Sequence, residues 1–182
     1  MSPAAPSDPT NAFLIGDNLS GLVVEKCKGG DFSFGGDPTF NNPVVVSGTF
    51  TNCEGGSDSF GGIGTASGTF IDCTGLSGSF GGGGTASGTF INCTGGGGGP
   101  FGGFVTASGT FTNCTGGNLA FGGRGTVSGT FTNCTGGFEA FDGTLTGQVL
   151  YCRLTFSSFP TVASGGIIRL SLDGNFNEVN AG

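Results

Sequence analysis

TASGTFIDCTGLSGSFGGGG (Thr65–Gly84) runs directly into TASGTFINCTGGGGGPFGGFV (Thr85–Val105), and TASGTFTNCTGGNLAFGGRG (Thr106–Gly125) follows. A unit of about twenty residues copied in tandem cannot bury its apolar side chains alone. Stacked on its own copies it builds one continuous core, so the expected fold is a solenoid. The phenylalanines of the unit fall into two slots. Phe50, Phe70, Phe90, Phe111 and Phe131 occupy the first; Phe60, Phe80, Phe101, Phe121 and Phe141 occupy the second, about ten residues later. Cys53, Cys73, Cys93, Cys114 and Cys134 each follow a first-slot Phe by three residues. Ten residues per circuit would leave no room for stacked rings, whereas about twenty allow two short strands facing each other. The reading is all-β: a single parallel β-solenoid (β-helix) of about seven coils, two short strands per coil.

Outward from the regular units, 44–143, the repeat degrades in both directions. Residues 1–12, with Pro3, Pro6 and Pro9, read as a flexible arm. Residues 13–43 hold a worn coil with Val24 in the first Phe slot, Cys27 in the Cys slot and Phe34 in the second slot, then an insertion near Asp37–Pro43. The terminal coils, 144–182, carry Val149 and Cys152 in the expected slots and then Phe159. A last strand, GGIIRLSL, is read with Ile167 in the first slot and Leu170 in the Cys slot.

Forty-two glycines among 182 residues would ordinarily favour disorder, because glycine loses the most entropy on folding and packs nothing. Two Phe per coil offset that, each worth about 1.5–3 kcal/mol when fully buried. A net charge of −7 opposes binding to nucleic acid. No apolar run approaches the ~20 residues a membrane span needs. The opening MSPAAPSDPTNAF has neither a basic nor an apolar region of the secretory kind, so no signal peptide is expected. No His and no C-x-x-C pair occur, so neither a zinc site nor any other metal or cofactor is expected. The thiols read first as a ladder of small buried residues, and secondly as partners for bridges between neighbouring coils.

Strand alternation sorts the unit. Ala66, Gly68 and Phe70 share the inward parity; Thr65, Ser67, Thr69 and Ile71 share the outward one. Cys73 has the wrong parity for the core unless an arc at Asp72 reverses the sense. Asn52, Asn92, Asn113 and Asn133 hold that slot in other units, and Asn tolerates such bends. Stacked Asn amides could form a hydrogen-bonded ladder, with Asp72 the exception facing water. The sequons at Asn92, Asn113 and Asn133 are explained by copying of the unit.

The unit F-[TI]-[ND]-C followed by F-G-G-x-G resembles the F-x-x-N and G-G-A-I repeats of bacterial surface passenger domains, such as the chlamydial polymorphic membrane proteins. It is also similar in style to repeats of phage-fibre and microbial surface proteins. The resemblance covers about Val44–Gly143 and implies a parallel β-helix in an adhesive or fibrous setting. The outward columns Thr65, Ser67, Thr69; Thr85, Ser87, Thr89; Thr106, Ser108, Thr110; and Thr126, Ser128, Thr130 form a hydroxyl grid similar to the ice-binding faces of β-solenoid antifreeze proteins. The calcium repeat G-G-x-G-x-D is not met, because Thr65 and Ala66 stand where its Asp belongs.

Catalysis is not expected. The carboxylates Asp31, Asp37, Glu54, Asp58, Asp72, Glu139 and Asp142 are scattered, and Lys26, Lys28 and Arg124 do not join them in the repeat, although Glu139 and Asp142 could lie near Arg124 one coil earlier. The ends carry the leading functional expectation. Phe13, Leu14, Ile15, Leu22, Val23 and Val24 at one end, and Ile167, Ile168, Leu170 and Leu172 at the other, are aliphatic edges with no capping helix in sight. The chain is therefore its own expected partner, stacking head to tail into an extracellular or virion-associated fibre. Ice-binding through the hydroxyl grid and adhesion to a cell surface are the alternatives.

Overall fold

In the computed structural model, which describes residues 21–35, 44–155, 160–173 and 177–182, every regular element is a β-strand. The chain winds as a parallel β-solenoid. Each regular coil carries three strand segments, one more than the two expected. The first is Thr-Ala or its equivalent, as in Thr65–Ala66, and these segments form a seven-stranded sheet, one strand per coil. The second is centred on the first-slot Phe, as in Thr69–Ile71. The third starts at the Thr after the Cys, as in Thr94–Gly98. The second and third columns belong to one fourteen-stranded sheet because the last long strand, Ile167–Leu172, pairs with both Gln148–Leu150 and Arg153–Thr155.

The extra segment comes from a corner at the Ser-Gly pair. Ser67 and Gly68 both donate their N–H to the Val46 carbonyl, and Ser87 and Gly88 both to Ala66. Two successive donors on one acceptor turn the strand without breaking its alternation: Ala66, Gly68 and Phe70 are all buried, as their parity requires. The corner demands glycine for close approach rather than for φ. A Cβ on Gly88 would fall on the carbonyl oxygen of Gly68, and the same holds up the column at Gly109 and Gly129.

Two columns of rings fill the interior. Phe50, Phe70, Phe90, Phe111 and Phe131 stack with centroids 4.6–5.2 Å apart. Phe34, Phe60, Phe80, Phe101, Phe121 and Phe141 stack at 4.7–5.1 Å. The columns meet edge to face, as at Phe90–Phe101 (5.6 Å, 81°). That herringbone suits the aromatic quadrupole, negative on the face and positive at the edge. Val24 and Phe34 take the slots expected of the worn first coil, and Val149 and Cys152 those of the later one.

The second column does not stand on strands. Phe34, Phe60, Phe80, Phe101 and Phe121 sit in turns at φ 50–55°. Left-handed backbone is disfavoured for any residue with a Cβ, most of all a bulky one, by ~1–2 kcal/mol. Burial of the ring outweighs that, and the following Gly61, Gly81, Gly102 and Gly122 continue the positive-φ turn.

The last coil differs from the sequence reading by one residue. Val149 pairs with Ile168, so Ile168, buried, holds the first slot and Ile167 is half-buried. Ser171 takes the Cys slot in place of Leu170: Leu172 donates to the Cys152 carbonyl, and the Ser171 hydroxyl accepts from the Cys152 N–H. A slip of one residue exchanges the two faces of a strand. The C-terminal edge is also not open there. Glu178–Ala181 pairs antiparallel on Ile167–Leu172 and covers its outer side, which corrects the expectation of an uncapped end.

Candidate functional surfaces

The hydroxyl grid divides at the Ser-Gly corner. Thr65, Thr85, Thr106 and Thr126 line up in strict register on the seven-stranded sheet. Ser67, Ser87, Ser108 and Ser128 project, exposed, from the corner itself. Thr69, Thr89, Thr110 and Thr130 form a column on the neighbouring sheet, so the single flat array expected across all three columns is not present. On that second sheet they gain a companion column of Thr51, Ile71, Ile91, Thr112 and Thr132, two residues along each strand. The two columns alternate hydroxyls with methyl groups at ~4.8 Å between coils.

Beside this face runs the arc. Asn52, Asp72, Asn92, Asn113 and Asn133 all have φ of 52–55°, as the inward turn of the Cys requires. The Asn133 amide donates to Asn113 (2.9 Å), Asn113 to Asn92 (3.1 Å), and Asn92 to the Asp72 carboxylate (2.9 Å). Asp72 is exposed, as expected, yet it also terminates the ladder as an acceptor. The three sequon asparagines thus have their amide nitrogens engaged in the ladder.

Inside the arc stands the thiol column. All seven cysteines are free; Cys27 is half-buried, and Cys53, Cys73, Cys93, Cys114, Cys134 and Cys152 are buried. Each buried thiol donates to two carbonyls, one two residues back and one in the coil before. Cys73, for example, reaches Ile71 (3.3 Å) and Phe50 (3.4 Å). Hydrogen bonding with the adjacent Cys73 thiol and burial hold the Cys53 thiol above its ordinary range.

The termini were expected to supply an association surface. Phe13, Leu14 and Ile15 lie outside the described residues. Leu22 packs against the core from a half-buried position, Val24 is buried, and Val23 is 64% exposed on the first described strand. At the other end Leu172 is 38% exposed. Nothing is described of the Leu170 side chain.

The charged groups form small local sets. Lys28 pairs with Glu54 on the next coil. Asp31 accepts the Ser57 N–H and lies close enough to Asp58 to act on its charge, so these two carboxylates are nearer than the sequence suggested. Burial and, secondarily, that neighbour raise the Asp58 carboxyl above its ordinary value. Arg124 lies 3.4 Å from Glu139, as the coil spacing allowed. They border a cleft of about 380 Å³ with Asp142, Gly143, Thr144 and Thr161. Its origin is a shortened turn. Four residues separate the second Phe from the next Thr at Phe121–Thr126, but two separate Phe141 from Thr144. Counting that spacing would have revealed the notch from the sequence.

Among the described residues, no three or more His, Cys, Asp or Glu side chains converge to hold a metal ion. No helix among them is long and apolar enough to cross a membrane. No protein-family model, curated protein or solved structure matches the chain.

Proposed function

We propose that the chain is a structural rod, a solenoid subunit that extends end to end into an extracellular or virion-associated fibre. The observation that carries this reading is a core continuous from coil to coil, Val24, five stacked Phe rings, Val149 and Ile168 in the first slot, up to a strand edge unpaired among the described residues. Among the described residues Val23–Glu25 pairs only on its inner side, with Thr49–Thr51, and its outer backbone groups offer a template for another chain. The opposite end presents the outer side of Glu178–Ala181 and of Thr161–Val162. The joint proposed here runs through these backbone edges, flanked by the exposed Val23 and Leu172. Seven coils give an axial rise of roughly 34 Å per subunit. Sedimentation velocity tests this: the weight-average mass should grow with concentration, and Val23→Pro, which removes a backbone donor from the edge, should return the protein to monomers. A monomer at tens of micromolar with no concentration dependence refutes the fibre.

A second reading, ice binding, is favoured by one specific observation. The columns Thr69, Thr89, Thr110, Thr130 and Thr51, Ile71, Ile91, Thr112, Thr132 lie on one sheet in unbroken register, a rigid lattice of hydroxyls and methyls. Thermal hysteresis in the unaltered protein, abolished by Thr110→Lys with Thr130→Lys, is its signature. A flat freezing curve at high protein concentration removes it.

A further inference from the structure

The half-covered part of the core lies at the two ends of the stack. Among the described residues, the partly buried apolar side chains packed on the core are Leu22 and Cys27 on the first coil and Val162, Val179 and Ala181 on the last. Glu178–Ala181 is therefore more than a cover. Ala181 stands opposite Ile168 and Val179 opposite Ser171, so the strand adds one layer to the first-slot column and one to the cysteine column, while Glu178 and Asn180 are exposed. The unused backbone groups of the two edges also match. Ile167 donates to Gly147 and Arg169 accepts from Tyr151, so the N–H and C=O of Ile168, between them, face Ala181. Alternation then turns the backbone groups of Ala181 and Val179 back toward Ile167–Leu172, in the same sense as Asn177, which accepts from Asp173. Those of Asn180 and Glu178 face outward. On the first coil Leu22 accepts from Thr49 and Lys26 donates to Thr51, which leaves Val23 and Glu25 facing outward. Cys27 accepts from Glu54 and Gly29 donates to Glu54, which does the same for Lys28.

We propose that Glu178–Ala181 of one subunit is the strand on which Val23–Glu25 of the next subunit docks, antiparallel, with Ala181 opposite Val24 and Val179 opposite Cys27. This joint presupposes the end-to-end fibre and fixes its register. The next subunit's first strand runs with Ile167–Leu172 and hence against Glu178–Ala181, so the joint is antiparallel although the coils are parallel. In this register inward side chains meet inward side chains, and the outward backbone groups of Asn180 and Glu178 meet those of Glu25 and Lys28. Val24 and Cys27 stand three positions apart, as Ile168 and Ser171 do, so one strand fits both neighbours. A slip by one residue would turn Glu178 toward the core. Charge agrees as well. Glu178 and Lys28, both exposed, come face to face, which sets a second carboxylate beside a lysine already paired with Glu54.

Charge exchange tests the register. Lys28→Glu and Glu178→Lys are each followed by sedimentation velocity, alone and as an equimolar mixture. Each variant alone sets like charges across every joint, and its association constant should fall on the order of tenfold. In the mixture, alternating subunits restore opposite charges at every joint, so assembly should return to the level of the unaltered protein, which also shows that both variants are folded. Val179→Cys gives a second readout. Residues opposed in a non-hydrogen-bonded antiparallel pair lie ~4.5 Å apart at Cα, within reach of a disulfide. Diamide takes up the two thiol hydrogens and is reduced to its hydrazine, and a ladder of covalent multimers linked from Cys27 to position 179 is expected on a non-reducing gel; Cys27→Ser in the same chain should abolish it. An unaltered protein that stays monomeric overturns the fibre and the joint together. If the unaltered protein assembles but the charge variants assemble equally well, the mixture does not recover, or no link joins Cys27 to position 179, the joint is refuted while the fibre stands.

Discussion

Replacing Phe90 and Phe101 in turn by alanine and by glycine should give opposite rank orders. The two rings are matched in everything but their backbone. Both are fully buried. Phe90 stacks on Phe70 and Phe111 at 5.0 and 4.8 Å and meets Phe80 and Phe101 edge on. Phe101 stacks on Phe80 and Phe121 at 4.9 and 5.1 Å and meets Phe90 and Phe111 edge on. Truncation to alanine should therefore cost about the same at each, roughly 3–5 kcal/mol of lost burial and cavity. Glycine then separates them. Phe90 lies in the strand Thr89–Ile91, where glycine is worse than alanine by ~0.5–1 kcal/mol. Phe101 has φ 55°, where alanine retains the ~1–2 kcal/mol left-handed penalty that glycine sheds. Glycine should thus be the better residue at 101 and the worse at 90, a swing of about 1.5–3 kcal/mol between sites. Urea unfolding of the four variants measures it, provided that the m-values agree. If glycine is worse than alanine at both positions by the same amount, the left-handed backbone does not strain the second column, and the reasoning fails.

Native iodoacetamide labelling should modify Cys27 first and leave the six interior thiols protected until unfolding; rapid labelling of Cys93 would contradict its burial. Gly88→Ala should destabilise by about 1–3 kcal/mol because its Cβ meets a carbonyl that cannot withdraw, and a neutral effect in thermal melts would show the corner to be soft. Asp58, its carboxyl raised by burial and by Asp31, binds a proton more tightly folded than unfolded. Its contribution to stability is therefore gained as pH falls from above the raised value to below the unfolded value of 3.8, and lost as pH climbs back. Asp58→Asn should stabilise the protein at neutral pH and remove that part of the acid dependence, and an unchanged pH profile would refute the assignment.

What was legible in the sequence followed from repetition. Five aligned copies fix the inward parity of Phe70 and the inward turn of Cys73, because any other arrangement would expose a whole column at once. The arc at Asn52 and its equivalents was readable for the same reason. Where the copies degrade, so does the reading. Ile167 and Ile168 are adjacent and equally apolar, so parity alone could not choose between them, and only pairing with Val149 decides. The corner at Ser67–Gly68 was hidden because inward and outward alternation passes through it undisturbed. The left-handed Phe turns were hidden because a bulky residue at positive φ is disfavoured locally and is held there only by the stack. The covering strand Glu178–Ala181 alternates polar Glu178 and Asn180 with core-packed Val179 and Ala181, but four residues outside the repeat are too few for that alternation to stand out.

That antiparallel strand has a consequence for how such a molecule can change size. The reversal at Glu178–Ala181 rests on Ile167–Leu172 alone, so it marks one end of the coil stack whatever the number of coils before it. Between that end and Val23–Glu25 each regular coil touches only the coil before and the coil after. Tandem copying of a twenty-residue unit between Thr65 and Gly143 therefore adds a fixed increment of length without asking either terminus to adapt. Length is a parameter that unequal recombination can set while the fold stays the same, and the molecule can serve a lineage as a ruler whose graduations are its own repeats.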